Sequence, residues 1–60
     1  MITTKGIGPD GLEREMDAKI VNDTLYIYSV RGDISHADAL VEFIKSIAER
    51  FGCGKIEVVL

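Results

Sequence analysis

The sequence has no tryptophan and, in 60 residues, only one cysteine, one histidine and one proline. One cysteine closes no intramolecular disulfide, and with one histidine it cannot supply the three or four ligands of an ordinary zinc site. No metal and no cofactor are expected. No apolar stretch approaches the roughly 20 residues of a membrane span, and the first residues lack a charged segment leading into an apolar run. These absences predict a soluble, cytoplasmic chain with no membrane partner. Basic residues are also scarce: seven Lys and Arg stand against ten Asp and Glu, a net charge of −3. Direct nucleic-acid binding needs a cationic face, so it is not expected. A chain this short buries only about 60 % of the surface its unfolded form exposes, which allows one small core and no deep enclosed pocket.

What is present is a patterned globular sequence, 47 % hydrophobic, without repeats or low-complexity tracts. Ala37, Leu40, Val41, Ile44, Ile47, Ala48 and Phe51 recur at the i, i+3, i+4, i+7 spacing of an amphipathic helix. Ser35 is placed to cap its start, Asp38 follows three residues on, and Gly52 is placed to end it. Phe43 falls about 90° from the centre of that stripe, where it finishes the core or extends a contact surface. Thr24 to Val30 and Lys55 to Leu60 are rich in β-branched residues and read as strands, with Ile56, Val58 and Leu60 on one face. One helix between two strands favours a parallel crossover. Residues 10–21 admit two readings. As a strand, Met16, Ala18 and Ile20 share a face and Asn22-Asp23 makes a two-residue turn; as a helix, Leu12, Met16 and Ile20 recur every four residues. The turn favours the strand. Gly8-Pro9-Asp10-Gly11 reads as a type I turn, which leaves residues 1–11 as an edge strand or a flexible arm. The expected fold is one α/β domain of the α+β type over residues 1–60. Its order is β-β-α-β, with one helix on one face of a small mixed sheet; the alternative is β-α-β-α-β.

With a regular two-residue hairpin, Lys19 lies opposite Tyr26, Asp17 opposite Tyr28 and Glu15 opposite Val30. One helix covers one face of a sheet, so Tyr26, Tyr28, Val30 and Val59 are expected on the other, among Glu13, Glu15, Asp17 and Glu57. Tyrosines pair an apolar body with a polar tip and are enriched at binding hot spots. The carboxylates of Glu13, Glu15 and Asp17, roughly 6–7 Å apart along the strand, form a negative stripe that either steers a cationic partner or discourages aggregation.

Other motifs carry less. Arg31-Gly32-Asp33 spells an adhesion tripeptide but reads more simply as the turn from strand to helix. Arg31, Ser35 and His36 at the helix start form a candidate anion site; no Walker-type lysine accompanies them, and His36 has no evident carboxylate to orient it for catalysis. Cys53, between two glycines at the negative end of the helix dipole, is expected to be unreactive. Leu25 to Ile34, the helix, and Ile56 to Leu60 resemble the first half of sulfate-transporter and anti-sigma-antagonist domains, in the order strand, Gly-acid, helix, strand. That resemblance covers about 35 residues. The Asp-Leu-Ser segment that carries those domains' phosphorylation site has no counterpart in this sequence, so no functional residue is carried over.

The function expected from these features is non-enzymatic. A small acidic inhibitor or adaptor would bind a larger protein through Tyr26, Tyr28 and Val30, with Glu13, Glu15 and Asp17 steering the encounter. One concrete form is an inhibitor of the phage or mobile-element kind, like the anti-CRISPR proteins, that blocks a basic nucleic-acid-binding groove. A structural homodimer is the first alternative, since the last apolar strand is a pairing edge. An anion-binding module at the helix start is the second.

Overall fold

The computed structural model describes residues 1–59. The elements run β1 (Ile2–Ile7), β2 (Glu13–Val21), β3 (Thr24–Gly32), α1 (Ala37–Arg50) and β4 (Lys55–Val58). The strands form one sheet in the order β1-β2-β3-β4, antiparallel across β1–β2 and β2–β3 and parallel across β3–β4. The expected class, one helix on a small mixed sheet, is the one found. Its order gains a strand, β-β-β-α-β, because Ile2–Ile7 pairs along its whole length with β2. Leu60, expected on the apolar side of the last strand, lies outside the described residues.

Local chemistry sets both hairpins. The Gly8 carbonyl accepts from the Gly11 amide at 2.9 Å, closing the Gly8-Pro9-Asp10-Gly11 turn between β1 and β2. Asn22, at φ +56°, supplies the positive φ of a two-residue loop, and Val21 pairs with Thr24 across it. Near the loop the register is the regular one: Ile20 opposite Leu25, Lys19 opposite Tyr26, Ala18 opposite Ile27. Then it slips. Asp17 pairs with Ser29, Met16 with Val30 and Glu15 with Arg31, so Tyr28 is the extra residue of a β-bulge. Because strand side chains alternate with period two, one extra residue reverses the faces of everything after it. Val30, expected on the open face, turns inward and packs against the core, while Ser29 and Arg31 turn outward.

The core joins Met16 and Ala18 of β2, Leu25 and Ile27 of β3, and Phe43, Ile47 and Ala48 of α1. The helix bears on the sheet through a face rotated from the centre of its apolar stripe. Phe43 is buried at its middle, whereas Val41 and Phe51 are exposed at 47 % and 43 %. Gly6 of β1 explains the seat of the ring, since a Cβ there would lie 3.1 Å from Phe43 Cε1. Arg50, the last residue of the helix, reaches Thr4 Oγ1 of the same strand at 3.5 Å. The helix starts at His36, not Ser35: no side chain caps it, and the Ser35 hydroxyl is bonded to Asp33 instead. At the other end Phe51 and Cys53 donate back to Ile47 and Ala48. Among the described residues no helix is long and apolar enough to cross a membrane.

Candidate functional site

The sheet face away from the helix carries a charged network assembled by the bulge. Thr3 and Lys5 of β1 stand opposite Asp17 and Glu15 of β2, which in turn stand opposite Ser29 and Arg31 of β3. Arg31 donates from Nε to Glu15 Oε1 at 3.0 Å and from Nη1 to Asp17 Oδ2 at 2.7 Å. Its Nη2 reaches Glu15 as well, and Asp17 Oδ1 at 3.1 Å. The Thr3 hydroxyl donates to Asp17 at 2.8 Å, the Ser29 hydroxyl donates to it at 3.0 Å, and Lys5 Nζ lies 3.6 Å from Glu15. These contacts fix the charge states. Arg31, then Thr3 and Ser29, hold the Asp17 carboxyl well below the ordinary carboxylate range, and Arg31 lowers Glu15 in the same sense. The Arg31 guanidinium is correspondingly raised.

Tyr26 and Tyr28 flank this network. Tyr26 is half-buried between Lys19 of β2 and Glu57 of β4, its register partners, and Tyr28 is 40 % exposed at the bulge. Glu13, at the end of β2 opposite Ile7, is exposed. The expected acidic stripe is therefore half of a balanced surface. Strand alternation puts Glu13, Glu15, Asp17 and Glu57 on this face together with Lys5, Lys19, Arg31 and Lys55, four of each sign. A shallow depression of about 320 Å³ opens at the end of this face, lined by Glu13, Arg14, Glu15, Arg31 and Gly32.

A second polar cluster closes that end of the sheet from the inside. Arg14 shares the inward parity of Met16 and is 1 % exposed. Asp10, from the turn, clamps its guanidinium at two points, Nη2 to Oδ2 at 2.6 Å and Nη1 to Oδ1 at 2.9 Å, while Nε donates to the Asp33 carbonyl at 2.7 Å. Buried charge is tolerated when it is paired and hydrogen-bonded, and Arg14 meets both conditions. Its guanidinium holds Asp10 well below the usual carboxylate range. Gly32 makes the close approach possible: its φ is +113°, and a Cβ would lie 2.7 Å from the Glu13 carbonyl. Beyond it, the Asp33 carboxylate accepts from the Ser35 hydroxyl at 2.5 Å and the Ser35 amide at 2.7 Å, and faces His36 Nδ1 at 3.1 Å. Ser35, by hydroxyl and amide, and then His36 lower the Asp33 pKa.

The residues once grouped as an anion site thus separate. Arg31 points across the open face, while Ser35 and His36 gather on Asp33, a carboxylate, in an arrangement that leaves the helix start with negative charge beside it. His36 does have an orienting carboxylate. Its Nδ1 faces both Asp33 and, at 3.3 Å, the Ser35 hydroxyl. A nucleophilic relay needs the serine on one ring nitrogen and the carboxylate on the other, so these three do not form one. Asp10, Asp33 and His36 bring ligand atoms within 4.8 Å of one another, but both oxygens of Asp10 are engaged by Arg14, which already supplies the local positive charge. The arginine and aspartate of the Arg31-Gly32-Asp33 tripeptide are tied into different networks. Cys53 is part-buried against the core.

No protein-family model matches the chain, and no curated protein or solved structure matches it either.

Proposed function

We propose that the chain is a non-enzymatic protein-binding module that engages a larger protein through the open sheet face, as an adaptor or an inhibitor. The observation that carries this reading is the placement of Tyr28 at the bulge, 40 % exposed, beside Tyr26 and an Arg31 already held by two carboxylates. Tyrosine and arginine are enriched at binding hot spots, and a face whose centre is already hydrogen-bonded internally has less side-chain freedom to lose when covered. Arg31 takes the place that Val30 held in the sequence-based list of contacts. Steering by Glu13, Glu15 and Asp17 toward a basic groove has less to rest on, because the face carries equal numbers of cations and carboxylates. A partner surface of mixed charge is the better complement.

The test is comparative capture. Tagged wild type and a Tyr26→Ala, Tyr28→Ala variant are used to retain partners from native lysate, with amide spectra confirming that both are folded. The expected result is a partner retained by the wild type and lost, by roughly tenfold or more, from the variant, given hot-spot losses of about 2 kcal/mol or more. Undiminished capture by a folded variant would overturn the assignment.

A further inference from the structure

We propose that β4 is the contact through which two copies of this chain pair, edge to edge and antiparallel, with the two-fold axis at Ile56. This goes beyond the open-face reading and uses a different part of the molecule. β4 is an edge strand, hydrogen-bonded on one side only, to β3. The amides of Lys55 and Val59 donate to the Asp23 and Ile27 carbonyls at 3.0 and 2.8 Å, so strand alternation turns the backbone groups of Ile56 and Val58 toward the free edge. Their side chains are also uncovered. Ile56 and Val58 are in register with Leu25 and Ile27, both buried under the helix, yet they stand 39 % and 61 % exposed.

The helix leaves this strip bare because its weight falls on the other side. Phe43 and Arg50 sit over β1, and Ile44 and Val41 lie roughly 100° and 160° around the helix from Phe43, on the flank away from that strand. Val41 is 47 % exposed. Helix flank and strand together make an apolar step next to an unpaired backbone edge, which is the form a sheet edge takes when another strand completes it.

Charge selects a second copy as the occupant and fixes the register. Lys55 and Glu57 share the open face two residues apart on β4. An antiparallel pair of identical strands with its axis at Ile56 puts Lys55 opposite Glu57 of the copy, and Glu57 opposite Lys55, so the strand is its own electrostatic complement. Ile56 then meets Ile56 of the copy on the helix side and exchanges both backbone hydrogen bonds with it. The Lys–Glu positions become the non-hydrogen-bonded pairs, in which side chains approach most closely. Moving the axis to Glu57 would instead oppose two carboxylates at that short distance. The paired molecule has a continuous eight-stranded sheet with the two open faces side by side.

Sedimentation equilibrium on the full chain tests this, up to about 1 mM because a short edge contact binds weakly. The expected mass rises from 6.6 kDa toward twice that value. Lys55→Glu alone and Glu57→Lys alone each weaken pairing by about tenfold or more, and the double variant, in which the charges are exchanged, restores it. In a mixed isotope-labelled sample, an intermolecular contact between the Lys55 and Glu57 α-protons marks the register. A chain that stays monomeric at the highest concentration overturns the proposal, as does a dimer indifferent to both single reversals or not restored by the double one. Loss of partner capture in the tyrosine variant bears only on the open face, so the two readings fail separately.

Discussion

β1 and β4 are both edges of the same sheet, and the helix treats them unequally. Phe43 closes over Gly6 and Arg50 reaches Thr4, so the inward residues of β1, Ile2, Thr4 and Gly6, are part-buried, while Ile56 and Val58 of β4 remain 39 % and 61 % exposed. The difference comes from one small residue. A side chain in place of Gly6 would push the Phe43 ring outward, and without the ring seated there the helix has no reason to lie to one side. A single helix cannot cover four strands, and where its largest side chain finds a gap decides which edge is left over.

The largest expected effect breaks this asymmetry at its anchor. Phe43→Ala removes the ring that joins helix to β1 and should destabilise the fold by about 3–5 kcal/mol, enough to leave so small a domain mostly unfolded in a denaturant titration. A loss under about 1 kcal/mol would mean that the helix does not depend on that seat. Next comes the polar closure at the β1–β2 turn. Asp10→Asn takes the carboxylate from buried Arg14 and should lower the melting temperature clearly at neutral pH.

The same pair predicts the acid response. Asp10, Glu15, Asp17 and Asp33 all have native pKa values below their unfolded ones, so their contribution is present at neutral pH. It should persist down to about pH 5 and be lost as the pH falls through the ordinary carboxylate range near 4 toward the native values, because the unfolded chain then binds more protons. Melting temperature against pH should therefore be flat from 7 to 5 and fall below, less steeply in Asp10→Asn. Unchanged stability at pH 3 would contradict the four contacts. The smallest effect belongs to β4: Val58→Thr, at a side chain already 61 % exposed, should change monomer stability by no more than about 0.5 kcal/mol. A large loss would show that β4 is covered after all.

How much of this the sequence discloses varies with the physics behind each feature. The Asn22-Asp23 turn and the alternation of Met16, Ala18 and Ile20 predict the β2–β3 hairpin, and the stripe from Ala37 to Phe51 predicts the helix, because both signals are local. The apolar arc of that helix is broader than the contact it makes, so its centre does not reveal that Phe43, at the arc's edge, is the buried anchor. Arg14 was legible in principle. The parity that sends Met16 and Ala18 inward sends Arg14 inward too, and Asp10 stands four residues before it as a partner. The bulge was not legible: Leu25-Tyr26-Ile27-Tyr28-Ser29-Val30 alternates smoothly in hydropathy, and nothing in it marks where one residue drops out of the ladder. That omission moved Val30 to the wrong face and hid Arg31 from the open one.

The bulge makes β3 a strand whose meaning depends on a count being odd or even. Removing Tyr28 would shorten the chain by one residue and, without changing any other, restore an uninterrupted ladder against β2. Val30 would still pair with Met16 and face the core, and Arg31 would still pair with Glu15 on the open face. A deletion of one residue here is absorbed by the loss of the bulge, while a deletion of two would place Val30 opposite Asp17 and Arg31 opposite Met16 and so invert the strand's second half. This point of the chain should therefore tolerate the loss of one residue and not of two.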